Sequence, residues 1–213
     1  MPETNRRIIA ELGSSVEHFA GDVVKDEVME GVGNLGPRTA KCHYADWAKR
    51  AIDRLDDLVD ERTRTAIMRE CGKNCYGEYR EVIVQAKERL GRSKSLDSFL
   101  VREQKRSKGG MRIRRKGSTI FVTYQPGKLA EGTKCYCHLM TSLPAEEQVS
   151  ITYCRCAEGF LKNYWEELLE VPVSVRTLES VISGGKSCRF AIEVPSECAA
   201  TVFTSKAHCA PIS

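Results

Sequence analysis

Near residue 106 the spacing of apolar residues changes from 3.6 to 2, and this change decides what the chain can fold into. Before it, Ile8, Ile9, Leu12, Val16, Phe19, Val23, Val24 and Val28 recur at helical intervals, with Gly13-Ser14-Ser15 predicting a break. Residues 31–37 hold three glycines and a proline and read as a loop. A helix fits from Thr39, with Tyr44, Trp47, Ala51, Leu55 and Leu58 on one face. Asp60 reads as the N-cap of a third helix, through Ile67 and Met68 to Cys71. A fourth runs from residue 78 to 90, and Ser95 caps a short fifth holding Leu96, Phe99 and Leu100. Beyond residue 110, Met111 and Ile113 alternate with arginines, and Ile120, Val122 and Tyr124 alternate after a Gly117-Ser118 turn, which predicts a hairpin. Residues 135–139 read as a short strand or turn, and 149–154 as a strand. Residues 157–170 read as an amphipathic helix, and 171–182 with 187–194 as a last hairpin across Gly184-Gly185. The expectation is an α+β fold: a helical N-terminal half packed on a roughly four-stranded antiparallel sheet with one inserted helix. Three parts are expected: a helical extension over 1–38, the main domain over 39–195, and a tail over 196–213.

Charge and composition narrow the partners. The net charge of +4 demands neither nucleic acid nor membrane. No apolar run approaches the roughly 20 residues needed to cross a bilayer. The N-terminus is polar and lacks a secretory apolar region, so a cytoplasmic location is the expectation. Residues 102–116 carry eight basic residues and one acid, a stripe able to contact phosphates. Its alternation with Met111 and Ile113 reads instead as the solvated face of an edge hairpin, where Lys and Arg discourage aggregation. Nucleic acid is accordingly disfavoured as a partner.

The ten cysteines are the chemical feature. Without an export signal, reduced thiols used for metal or catalysis are the expected reading. Six fall in three pairs. Cys71 and Cys75 stand one helical turn apart on one face. Cys135 with Cys137, and Cys154 with Cys156, would each point one way if their segments are strands. Adjacent strands lie roughly 4.8 Å apart, so four thiols would then share a face, with the helical pair covering them. Soft thiolates select zinc, copper(I) or iron–sulfur clusters. The expected ligand pool is Cys71, Cys75, Cys135, Cys137, Cys154 and Cys156, with zinc the first choice and an iron–sulfur cluster the second. The bland alternative is six buried reduced cysteines. Cys188 reads as core, and Cys42, Cys198 and Cys209 with its neighbour His208 as incidental. Cys137 with His138 is the one candidate thiol and base for a catalytic site.

The C-terminal pattern resembles a known family. Cys154 or Cys156, then Gly159-Phe160-Leu161, a strand from Val173 to Leu178 with Glu179, the turn Gly184-Gly185, and Cys188-Arg189-Phe190 resemble the 4-vinyl-reductase-type small-molecule-binding domain. The whole set, with Cys71, Cys75, Cys135 and Cys137, looks like a cysteine-rich branch near the 2-amino-thiazoline-4-carboxylate hydrolase-like family. The resemblance covers residues 60–194. It implies helices on a four-stranded antiparallel sheet, a pocket between them for a small apolar ligand, zinc bound by cysteine in some relatives, and a homodimer through the helices. The doubled C-x-C pairs depart from the ordinary domain.

Three functions compete on these grounds. One is a metal- or cluster-binding protein with a small-molecule pocket, acting as sensor or accessory factor. A thiol-dependent hydrolase or lyase acting on a small C–N or C–S substrate is the second. The third is a nucleic-acid-binding protein using the basic stripe.

Overall fold

The structure, a computed structural model, describes residues 3–107, 110–128 and 133–195. Among these, five helices come first: α1 (Glu3–Val28), α2 (Lys41–Leu58), α3 (Glu61–Tyr76), α4 (Arg80–Gly91) and α5 (Leu96–Arg106). The hairpin β1 (Met111–Lys116) and β2 (Thr119–Tyr124) follows, then α6 (Arg155–Leu169), β3 (Ser174–Glu179) and β4 (Cys188–Glu193). The fold is α+β, as the change of period predicts.

Local chemistry sets the boundaries. The Asp60 side chain accepts the Thr63 N–H at 2.7 Å and caps α3. Ser95 and Ser98 exchange side-chain and backbone hydrogen bonds in a capping box that starts α5. The break expected at Gly13-Ser14-Ser15 is absent. Helix α1 runs straight through it, with Met29 packed beside Gly13. The kink comes instead at Gly21, at φ 86° and ψ 171°, a conformation that glycine takes without strain.

The sheet is antiparallel throughout, in the order β1-β2-β4-β3. Ile113, Val122 and Phe190 stand side by side across three strands and are buried toward the helices. One residue along, Arg114, Phe121, Ala191 and Arg176 form the next row. The Arg114 guanidinium lies 5.9 Å from the centre of the Phe121 ring. Arg112, Arg114 and Lys116 are exposed.

Two apolar cores result. The first joins α1, α2 and α3 to residues 139–154 through Val16, Trp47, Ile52, Leu55, Ile67 and Met140. The second lies between the sheet and α4, α5 and α6, around Ile83, Phe99, Ile120, Trp165 and Ile192. Helices α3 and α6 form the seam between them. They cross so closely that a Cβ on Gly72 would stand 1.8 Å from the Cys156 carbonyl oxygen, and one on Gly159 1.9 Å from the Arg69 carbonyl oxygen. Only a residue without a side chain fits at either point. Among the described residues no helix is long and apolar enough to cross a membrane.

Candidate functional site

The thiols gather at that seam, but by a different route from the one the C-x-C spacing suggests. Residues 135–139 are a turn, not a strand. Leu139 and Met140 are adjacent and both buried, which a strand packed on one face does not allow. The Met140 N–H closes the turn on the Cys137 carbonyl at 2.9 Å. Lys134 Nζ ties the segment to the carbonyls of Ala145 and Glu147.

The expected strand over 149–154 is also absent. Val149 N–H makes one backbone bond, to the Ile182 carbonyl at 2.8 Å. The Ser150 side chain then accepts the Thr152 N–H at 3.3 Å and turns the chain into a short 3-10 helix, Ile151–Cys154, that feeds α6. The notion that each C-x-C pair points both thiols one way therefore falls. Residues two apart at the head of a helix look in different directions.

The six thiols divide accordingly. Cys71 is buried and its Sγ donates to the Glu11 carbonyl of α1 at 3.8 Å. Cys154 is buried and its Sγ lies 2.8 Å from the Ser180 Oγ. Both are engaged with neighbouring elements. Cys137, Cys154, Cys135 and Cys75 all lie near enough to Cys156 to act on it. Burial pushes the Cys156 thiol well up, and the sulfurs of Cys137, Cys154, Cys135 and Cys75 push it the same way. Cys135 is raised by burial and then by Cys137, Cys154 and Cys188, against an opposing hydrogen bond from the Cys137 N–H. That bond spans 3.4 Å to the Cys135 Sγ. Burial raises the Cys137 thiol, while the Tyr153 hydroxyl, donating to its Sγ at 2.9 Å, opposes the rise. Cys71 and Cys154 are each pushed up to about 12, chiefly by burial. Among the described residues, no three His, Cys, Asp or Glu side chains already stand as a metal site.

Cys137 is half-buried and meets Tyr153, whereas its chain neighbour His138 is exposed. Cys42 is exposed at the start of α2, and Cys188 is half-buried on β4. Cys198, His208 and Cys209 lie outside the described residues.

Sequence reasoning passed over the residues that hold the seam. Glu158, 1 % exposed, accepts two hydrogen bonds from Arg69 at 2.9 and 2.7 Å, one from Arg155 at 2.6 Å and the Thr177 N–H at 2.8 Å. Burial works to raise its carboxyl, but the Thr177 N–H and the two guanidiniums outweigh it and hold the carboxyl below the usual glutamate range. The Arg155 to Glu158 spacing is the signal that sequence offered. Tyr153 and Ser180 carry no such signal, since their partners lie far along the chain. A cleft lies away from the sheet, beside residues 30–54.

Comparison with known families finds one match: the family described as "Family of unknown function (DUF6144)" matches residues 5–199. A search of the curated proteins finds no match. Among solved structures, an H-NOX protein from S. oneidensis in the Fe(II) ligation state, a mutant form, is similar at TM-score 0.46 and 13% identity, over 88% of this chain and 94% of that one. The H-NOX protein from S. oneidensis in the Fe(II)NO ligation state gives 0.44 and 12%, over 88% and 97%. The phenol-responsive sensory domain of the transcription activator PoxR with phenol gives 0.40 and 16%, over 79% and 83%.

Proposed function

We propose that this chain, which belongs to the DUF6144 family of unknown function, binds a soft metal through Cys75, Cys135, Cys137 and Cys156 and acts as a sensor or accessory factor. Zinc is the first choice, and an iron–sulfur cluster the second. The observation that carries the reading is that Cys137, Cys135 and Cys75, together with Cys154, all act on the buried thiol of Cys156. Four sulfurs are the complement of a closed tetrahedral zinc site. Cys71, which faces Glu11, and Cys154, which faces Ser180 although it also acts on Cys156, are set outside the four. Loading asks the four side chains to turn inward about their first torsion. Residues 133–149 hold no helix or strand, so they resist such a turn less than a ladder would. Tyr153 then donates to a metal-bound sulfur, the kind of outer contact that fixes a ligand's direction.

The thiol-hydrolase reading is less well supported. A nucleophilic cysteine needs a lowered pKa and a base, whereas burial raises these thiols and His138 faces solvent.

Elemental analysis and absorption spectra of anaerobically purified protein test the proposal. The expected result is about one equivalent of zinc per chain. Single Cys→Ser changes at 75, 135, 137 or 156 should each abolish it, while Cys71→Ser and Cys154→Ser retain it. Because the metal displaces thiol protons, zinc affinity should rise with pH. A brown protein with iron and sulfide in place of zinc selects the cluster. Metal-free wild type that takes up neither, or uptake that survives loss of Cys156, ends the proposal.

A further inference from the structure

The cleft beside residues 30–54 holds a surplus of positive charge that no other part of the fold uses. It has a volume of about 790 Å³ and lies between the end of α1, the loop before α2 and α2 itself as far as Arg54. Arg38, Arg50 and Arg54 line it, against the single carboxylate of Glu30. Arg54 is fixed in place: its guanidinium donates to the Val28 carbonyl at 2.8 Å and to the Glu30 carbonyl at 3.0 Å. Arg38 and Arg50 have no ion-pair partner among the described residues. The Trp47 indole, buried and held by its N–H on the Glu30 carbonyl at 3.1 Å, forms part of the wall.

Helix α2 adds to this field. Its N-cap is Ala40, which makes no side-chain cap, and its first turn holds no acidic residue. The positive end of the helix is therefore left uncompensated beside Arg38.

We propose that this cleft binds a small organic phosphate monoester. The arithmetic favours phosphate over carboxylate. Three guanidiniums less one carboxylate leave a surplus of two positive charges. A phosphomonoester carries about −1.5 to −2 at pH 7 and three acceptor oxygens, which suits several forked donors at once. The cleft is also of the size that takes a whole small molecule rather than a bare ion. Leu35, half-buried in its wall, gives the organic group an apolar surface. The site is independent of the thiols, so it stands or falls apart from the metal reading.

Calorimetric titration of the full chain with phenyl phosphate, inorganic phosphate and benzoate tests this. Phenyl phosphate should bind, and the other two should each bind at least about tenfold more weakly. In the double variant R38A/R50A, phenyl phosphate affinity should fall by about tenfold or more, with the melting temperature and metal content unchanged, since both side chains are exposed. In the wild type the affinity should fall as salt rises. The proposal is overturned if phenyl phosphate fails to bind at millimolar concentration, if benzoate or inorganic phosphate binds equally well, or if the double variant or added salt leaves the affinity unchanged.

Discussion

Glu158 is the residue on which the centre of the molecule depends. It lies two positions past Cys156, is almost wholly buried, and spans three elements: α3 through Arg69, α6 through Arg155 and β3 through the Thr177 N–H. A buried carboxylate is costly unless its oxygens are satisfied, and here both are. Glu158→Gln leaves two guanidiniums facing a neutral amide and should cost about 3 kcal/mol at pH 7, the low end for a broken buried pair because Arg69 is half-exposed. The pH dependence has a definite sign. The folded-state pKa lies below the ordinary value of 4.5, so the stabilisation is complete above about pH 4.5 and is lost as the pH falls through the folded value. Urea unfolding at a series of pH values should show wild type losing stability steeply on the acid side, and Glu158→Gln losing less. Parallel acid limbs in the two proteins would mean that Glu158 is not the group responsible.

Among the elements, the crossing of α3 and α6 has the narrowest tolerance. A methyl group at Gly72 or Gly159 would meet a backbone carbonyl at under 2 Å, which no side-chain adjustment relieves. Gly72→Ala and Gly159→Ala should therefore each destabilise by about 3 kcal/mol as the helices separate. Gly91→Ala, where a Cβ meets nothing within 4 Å, should stay within about 0.5 kcal/mol of wild type. Chemical denaturation of the three variants decides the matter, and equal losses at all three positions would refute the steric account. The sequence shows Gly72 only as a weak point in a helix, because a close approach between segments some 90 residues apart leaves no local mark. The same limit governs the thiols. Helical caps at Asp60 and Ser95 and the period-2 hairpins are local signals, and each appears where expected. The 149–154 segment alternates like a strand yet becomes the lead-in to α6, since Ser150 captures the Thr152 N–H before a ladder forms. A short apolar run is ambiguous between the two states, and here the serine decides.

At the scale of the whole molecule, two apolar cores share one seam. Trp47 is buried in the first and Trp165 in the second, so each core carries its own fluorescent reporter. Because α3 and α6 interlock at two glycines and are cross-tied by Glu158, neither core can open without exposing the other's face of the seam. The single-tryptophan variants Trp47→Phe and Trp165→Phe should therefore report coincident urea transitions, the mark of one cooperative unit. Neither change leaves a buried polar group without its partner. Trp165 has no hydrogen-bond partner for its N–H to lose. The Glu30 carbonyl that Trp47 serves keeps its bond from Arg54. Adding Gly72→Ala to each variant should separate the two midpoints, as the seam loosens and the cores uncouple. Midpoints that differ before the glycine is touched would show that the cores fold independently. The thiols gathered along the seam would then report on the first core alone.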